Sequence, residues 1–144
     1  MKKIIFSVLV CTFLSCQENR PHGNQYKLPE LTPNNLLIGS LNENRSSYRV
    51  SFYDINIDFD IEKKSLDGFV TIKAESIRDL NELQIDLAEN LIIKKVTYAN
   101  QELSFSREFD AVLINFTSTI KKGSIFEFTV FYHGVPQSAD NPPW

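Results

Sequence analysis

From Tyr53 to Ile61 the chain alternates without exception: Tyr53, Ile55, Ile57, Phe59 and Ile61 are apolar, and Asp54, Asn56, Asp58 and Asp60 between them are polar or charged. A period of two sends successive side chains to opposite sides of an extended backbone, so the run specifies a β-strand. A helix would need its apolar positions every three or four residues. The expectation is a strand with one buried and one wet face.

The rest of the chain after this point has the same character. Glu62-Lys63-Lys64-Ser65 has turn composition, and Gly68 to Glu75 returns with Val70 and Ile72 on one side, which predicts an antiparallel hairpin. Leu83, Ile85 and Leu87 alternate next, followed by Leu91 to Ala99 with Ile92, Ile93, Val96 and Tyr98. Beyond the turn at Asn100-Gln101 come Leu103 to Phe109, then Ala111 to Phe116 past Asp110. Ile125 to His133 follows the turn at Lys122-Gly123. About seven short strands, with no amphipathic helix, repeat or heptad pattern, predict an all-β fold: an antiparallel saddle-like or sandwich domain. The aromatics sit mostly at alternating strand positions and read as core.

The N-terminus reads as an export signal. Lys2-Lys3 precede an apolar run from Ile4 to Leu14, too short to span a bilayer. Phe13-Leu14-Ser15-Cys16 resembles a bacterial lipobox, with Phe13 in place of the usual leucine, so Cys16 is expected to be lipidated and to become the mature N-terminus. Cys11 and Cys16 are the only cysteines, which leaves the mature domain to its core without a disulfide. Residues 17–47 are rich in Asn, Gln, Ser and Pro and read as a flexible tether, with Leu36-Leu37-Ile38 as a short stretch that docks on the domain. The expected organisation is a lipoprotein signal peptide at 1–15, a tether at 16–47 and a β domain at 48–144. The expected location is the bacterial cell envelope, with a lipid anchor in the membrane.

Charge and motifs exclude several functions. The formal net charge of -3 gives nucleic acid no basic footprint. His22 and His133 are far apart, each followed by glycine, and read as solvent-facing. They cannot form the pair one helical turn apart that a His-Glu-x-x-His zinc site requires. There is no Gly-x-Ser-x-Gly elbow, and five scattered glycines assemble neither a phosphate loop nor a dinucleotide fingerprint. The expectation is no catalytic, cofactor-binding or metal-ligating residue and no cofactor in this chain. Asp54, Asp58 and Asp60 have calcium-ligand chemistry, but aspartates spaced along the wet side of a strand need no metal. The pairs Lys63-Lys64, Lys94-Lys95 and Lys121-Lys122 read as solvated surface beside turns. The sequons at Asn44 and Asn115 read as incidental in a bacterial lipoprotein.

Several stretches, in order and spacing, resemble the N-terminal domain of the aminopeptidase N family of zinc metallopeptidases in its secreted bacterial form. They begin with Leu37-Ile38-Gly39-Ser40-Leu41 and Arg45, like a lead-in to the first strand. Tyr53-Asp54-Ile55-Asn56-Ile57-Asp58 and Lys64-Ser65-Leu66-Asp67-Gly68 are similar to the family's opening hairpin. Leu83-Gln84-Ile85-Asp86-Leu87, Leu91, Val96, Leu103-Ser104-Phe105, Tyr132-His133-Gly134-Val135-Pro136 and Asn141-Pro142-Pro143-Trp144 continue it. The resemblance covers about residues 37 to 144.

It implies a saddle-shaped scaffold packed on a thermolysin-like catalytic domain, in a zinc-dependent enzyme that removes N-terminal residues from peptides. The implied partners are that catalytic domain, its peptide substrates and, through the anchor, a membrane. The family's zinc motif, exopeptidase loop and substrate-amine ligand have no counterpart here, so no functional residue carries over. Asn141-Pro142-Pro143-Trp144 reads as a connection that continues in the relatives, which implies a chain cut before its catalytic part. Open edges or apolar surface, marginal stability and self-association are then expected. The alternative from a different class is a free-standing envelope lipoprotein whose β-sandwich binds a protein or glycan, which calls for exposed aromatic pairs.

Overall fold

A computed structural model describes residues 30–137. The signal segment, Cys16, His22, residues 16–29 of the tether and Asn141-Pro142-Pro143-Trp144 lie outside the described residues.

All seven expected strands form: β1 (Tyr48–Asp60), β2 (Ser65–Ser76), β3 (Leu80–Asp86), β4 (Leu91–Tyr98), β5 (Gln101–Glu108), β6 (Ala111–Ile120) and β7 (Ile125–Gly134). Every neighbouring pair is antiparallel, in one sheet of order β1-β2-β7-β4-β5-β6-β3. The link from β2 to β3, residues 77–79, dictates the shape of that sheet. β3 stands five places from β2, which in a flat sheet is about 24 Å at the usual spacing between strands. Three residues reach only about 14 Å. The sheet must therefore curl, and it does, into a half-barrel.

The hairpins are closed by residues in the left-handed region. Tyr98 pairs with Gln101, which leaves Ala99 (φ 47°) and Asn100 (φ 64°) as a two-residue turn whose twist matches the flanking strands. Phe109 (φ 51°) and Asp110 turn β5 into β6. Between β1 and β2, the Asp60 carboxylate accepts the Lys63 amide at 2.9 Å and the Lys63 ammonium at 2.8 Å. That contact lowers the Asp60 pKa below its ordinary value.

The core is drawn from β2 through β7. Phe128, Leu83, Ile114, Val96 and Val112 are fully buried, and Phe116 meets Tyr98, Phe126 and Phe128 edge-on at 5.2, 5.7 and 6.2 Å between ring centres. The outer face carries a second, partly exposed layer. Phe69 and Phe131 lie 5.4 Å apart, Lys95 sits 4.7 Å above the Phe131 ring, and the Thr71 and Thr129 hydroxyls bond at 2.9 Å.

In the stretch that the sequence reads as tether, residues 31–47 contain a helix, α1 (Pro33–Gly39), which the periodicity did not signal. Its start is written locally. Thr32 is the N-cap, its hydroxyl accepting the Asn35 amide at 3.2 Å while the Asn35 side chain accepts the Thr32 amide at 3.0 Å. Pro33 occupies the first turn, where its missing N–H costs nothing. No residue of α1 is buried, so an apolar stripe could not announce it. It is held by polar contacts: Asn34 donates to the Asp110 carboxylate at 2.6 Å, and the Leu37 carbonyl accepts from the Gln84 side chain at 3.3 Å.

Candidate interaction surface

β1 and β3 are the two edges of the sheet, and they are treated differently. The edge of β3 is covered by residues 42–47: the Gln84 amide donates to Asn44 O at 3.3 Å. Asn44 also donates to the Glu82 carboxylate at 2.6 Å. Gln84 ties the whole lead-in down. Its buried side chain accepts from Asn42 at 2.7 Å and donates to Leu37 O and to Asp86 at 3.1 Å, so its buried amide is satisfied. Arg45 adds a 2.6 Å ion pair with Asp86 and a bond to Ser40 O at 2.9 Å.

The edge of β1 is open. Its apolar alternation is real, but the expected buried face is not buried: Tyr53, Ile55, Phe59 and Ile61 are 54, 61, 70 and 88% exposed. The physical reason is position. Alternation guarantees an apolar side without guaranteeing anything opposite it, and β1 is an edge strand: Tyr48 and Val50 at its start pack against the core, but no residue of β1 belongs to the buried cluster. The reading of the aromatics as core holds for Phe116, Phe126, Phe128 and Tyr132 and fails for Phe52, Tyr53, Phe59 and Phe109, which are exposed. Tyr53, Ile55 and Phe59 make an apolar stripe along the inner face of β1, whereas Phe52 lies on its outer face and Phe109 in the β5–β6 turn.

Beside the stripe the half-barrel holds a cavity of about 400 Å³, lined by Val50, Val70, Ile72, Val130, Tyr53 and Tyr132 among others. The Tyr48 side chain also lines it, and its hydroxyl donates to Gln84 O at 2.7 Å. Burial, then the nearby Tyr53 and Asp86, push the Tyr48 phenol up to about 12, against a smaller opposing effect of Arg45. Burial also raises the Tyr132 phenol. Both phenols stay protonated at neutral pH, so they can donate hydrogen bonds but not act as bases.

Other candidate positions behave as surface. Asp54, Asp58 and Asp60 lie on the outer side of β1, opposite Thr71, Asp67 and Ser65. Among the described residues, no group of three or more His, Cys, Asp or Glu is placed to hold a metal ion. Lys63, Lys94 and Lys121 pair with Asp60, Asp67 and Asp79. His133 is half-buried in β7. No helix among the described residues is long and apolar enough to cross a membrane. Sequence reasoning missed Tyr48 and Gln84 as the residues that close the curl, because both act through partners remote in the chain.

No family model matches the sequence, and no curated protein matches it. Solved structures do share its fold. An M1 zinc metallopeptidase from Deinococcus radiodurans is 17% identical with a TM-score of 0.60, covering 70% of this chain and 23% of that one. A two-domain M1 zinc metallopeptidase bound to L-arginine gives 17% identity and a TM-score of 0.59 over 69% of this chain and 23% of that one. Leukotriene A4 hydrolase from Saccharomyces cerevisiae gives 20% and 0.52 over 60% of this chain and 15% of that one. At such identities the likeness shows the fold alone, and that fold matches the N-terminal domain of these peptidases. The chain spans less than a quarter of the length of each of these neighbours.

Proposed function

We propose that this chain is the non-catalytic N-terminal scaffold of a zinc-dependent aminopeptidase that removes N-terminal residues from peptides, tethered to the cell envelope through a lipid on Cys16. The observation that carries the reading is the fold shared with M1 zinc metallopeptidases over 70% of the chain, combined with an inner face left open along β1. An apolar face of this size is what a domain presents to another domain. In this reading the catalytic domain covers it and forms the rest of the substrate cavity. In this reading zinc belongs to the catalytic part of the parent; among the described residues no group of three or more His, Cys, Asp or Glu is placed to hold a metal ion.

The test is the genomic sequence downstream of the Trp144 codon. A continuous reading frame containing His-Glu-x-x-His supports the reading, and an authentic stop codon with no such frame at the locus removes it. Purified alone, the chain should show no turnover of amino-acid anilides with or without added zinc. Lipidation is tested separately, by labelling with a radioactive fatty acid in wild type and Cys16→Ala.

The exposure of Tyr53 and Phe59, at 54 and 70% on the same side of β1, favours a second reading, a free-standing envelope module that binds a protein or glycan through these rings. A glycan or envelope-protein screen in which binding is lost on Phe59→Ser would support it.

A further inference from the structure

We infer that the free edge of β1 is a receptor for one extended segment in which apolar residues alternate with lysine or arginine. β1 runs thirteen residues and has a neighbour on one side only. Edge strands carry a row of unpaired N–H and C=O groups that can pair with another strand, and the β3 edge is covered against this by residues 42–47. An added strand continues the sheet, so its two faces must match the two faces of β1. On the inner side it meets Tyr53, Ile55, Ile57 and Phe59, which calls for apolar side chains.

On the outer side it meets Asp54 and Asp58, and neither carboxylate has an ion-pair partner among the described residues. Asp58 moreover stands directly opposite Asp67 on β2, a like-charge pair across strands that is unfavourable. Lys94 engages Asp67 from the far side, and nothing answers Asp58 from the near side. Cationic residues on the added strand would complete that row. A second copy of this chain is a poorer occupant, because antiparallel pairing of two β1 strands brings their acidic faces together. The inference is independent of whether a catalytic domain covers the inner face, because it concerns the edge.

The experiment uses the full chain and two labelled peptides of about nine residues, one alternating valine with lysine and one alternating valine with glutamate. The lysine peptide should bind about tenfold more tightly, weaken as salt rises, and slow amide exchange in residues 53–60 but not in 80–86. The double variant Asp54→Lys, Asp58→Lys alters exposed side chains and should reverse the preference to the glutamate peptide, a gain that misfolding cannot imitate. Equal binding of the two peptides, protection elsewhere than β1, or protection of β1 in the peptide-free chain that rises with protein concentration would each overturn the inference. The last outcome would make a second copy the occupant.

Discussion

The hydroxyl of Tyr48, on the first strand of the sheet, donates to the main-chain carbonyl of Gln84, on the last, at 2.7 Å. One side chain thus joins the two edges of a seven-stranded sheet and closes its curl at one end. Removing that hydroxyl with Tyr48→Phe leaves a part-buried carbonyl without its donor, which costs on the order of 1–2 kcal/mol. The measurement is the denaturant midpoint, which should fall, while exchange of the 80–86 amides should rise. An unchanged midpoint would mean that the edges are held without this bond.

The same phenol makes stability pH-dependent on the alkaline side. Its folded pKa, raised to about 12, lies above the unfolded value of 10, so the folded state binds the proton more tightly. The contribution is complete below pH 10 and is lost as pH rises from there through 12. Two pKa units correspond to about 3 kcal/mol as an upper figure. Unfolding followed between pH 8 and 11 should show a decline in wild type that is shallower in Tyr48→Phe. Parallel curves would remove Tyr48 as the cause.

Asp110 sits at the tip of the β5–β6 hairpin, yet it fastens two other elements. Its carboxylate accepts Asn34 of α1 at 2.6 Å and the Glu89 amide at 2.8 Å, and its carbonyl accepts the Leu87 amide at 2.8 Å. Asp110→Ala removes the first two and should cost about 1–2 kcal/mol, a fall in Tm of roughly 5–10 °C. The specific sign is local: α1 amides should exchange faster while the β4–β7 pairing stays protected. Loss of protection throughout the sheet would assign Asp110 a role in the core that the geometry does not give it.

The turn between β4 and β5 carries a correctable cost. Ala99 holds φ 47°, a region that costs an ordinary L-residue about 1–2 kcal/mol, and Asn100 follows at φ 64°. Both are exposed. Replacing them together by Ala99→Asn and Asn100→Gly supplies the dipeptide this turn prefers and should stabilise the chain by about 1 kcal/mol. A variant that melts below wild type would show that the backbone there is not the turn described.

Strand count and strand positions were legible because they depend on alternation and turn chemistry, which are local. Sheet order was not. The insertion of β7 between β2 and β4, and the five-place jump from β2 to β3, are decided by which faces bury each other. α1 was missed because Asn34 and Asn35 have loop composition, and their bonds to Asp110 and Thr32 are visible only once the partners are placed. Thr32-Pro33, a cap followed by proline, was the one local signal for it. At the candidate surface the apolar pattern of β1 was legible and its exposure was not, since a period of two describes a strand and not its neighbour.

That exposure gives a contrast between residues of similar chemistry. Ile55 and Phe59 are 61 and 70% exposed, whereas Phe128 is 1% exposed at the centre of the aromatic core. Phe128→Ala should cost about 3–5 kcal/mol, because it deletes a ring with packed neighbours on every side. The double variant Ile55→Thr, Phe59→Thr keeps β-branched residues in the strand and removes little buried area, so it should shift stability by less than about 1 kcal/mol. It should, however, abolish most binding of a hydrophobic dye and reduce self-association measured by light scattering as a function of concentration, since the apolar stripe drives both. If the double variant is instead destabilised as strongly as Phe128→Ala, then Ile55 and Phe59 are covered in the folded chain, and the inner face of β1 is not the open surface on which the proposed domain contact rests.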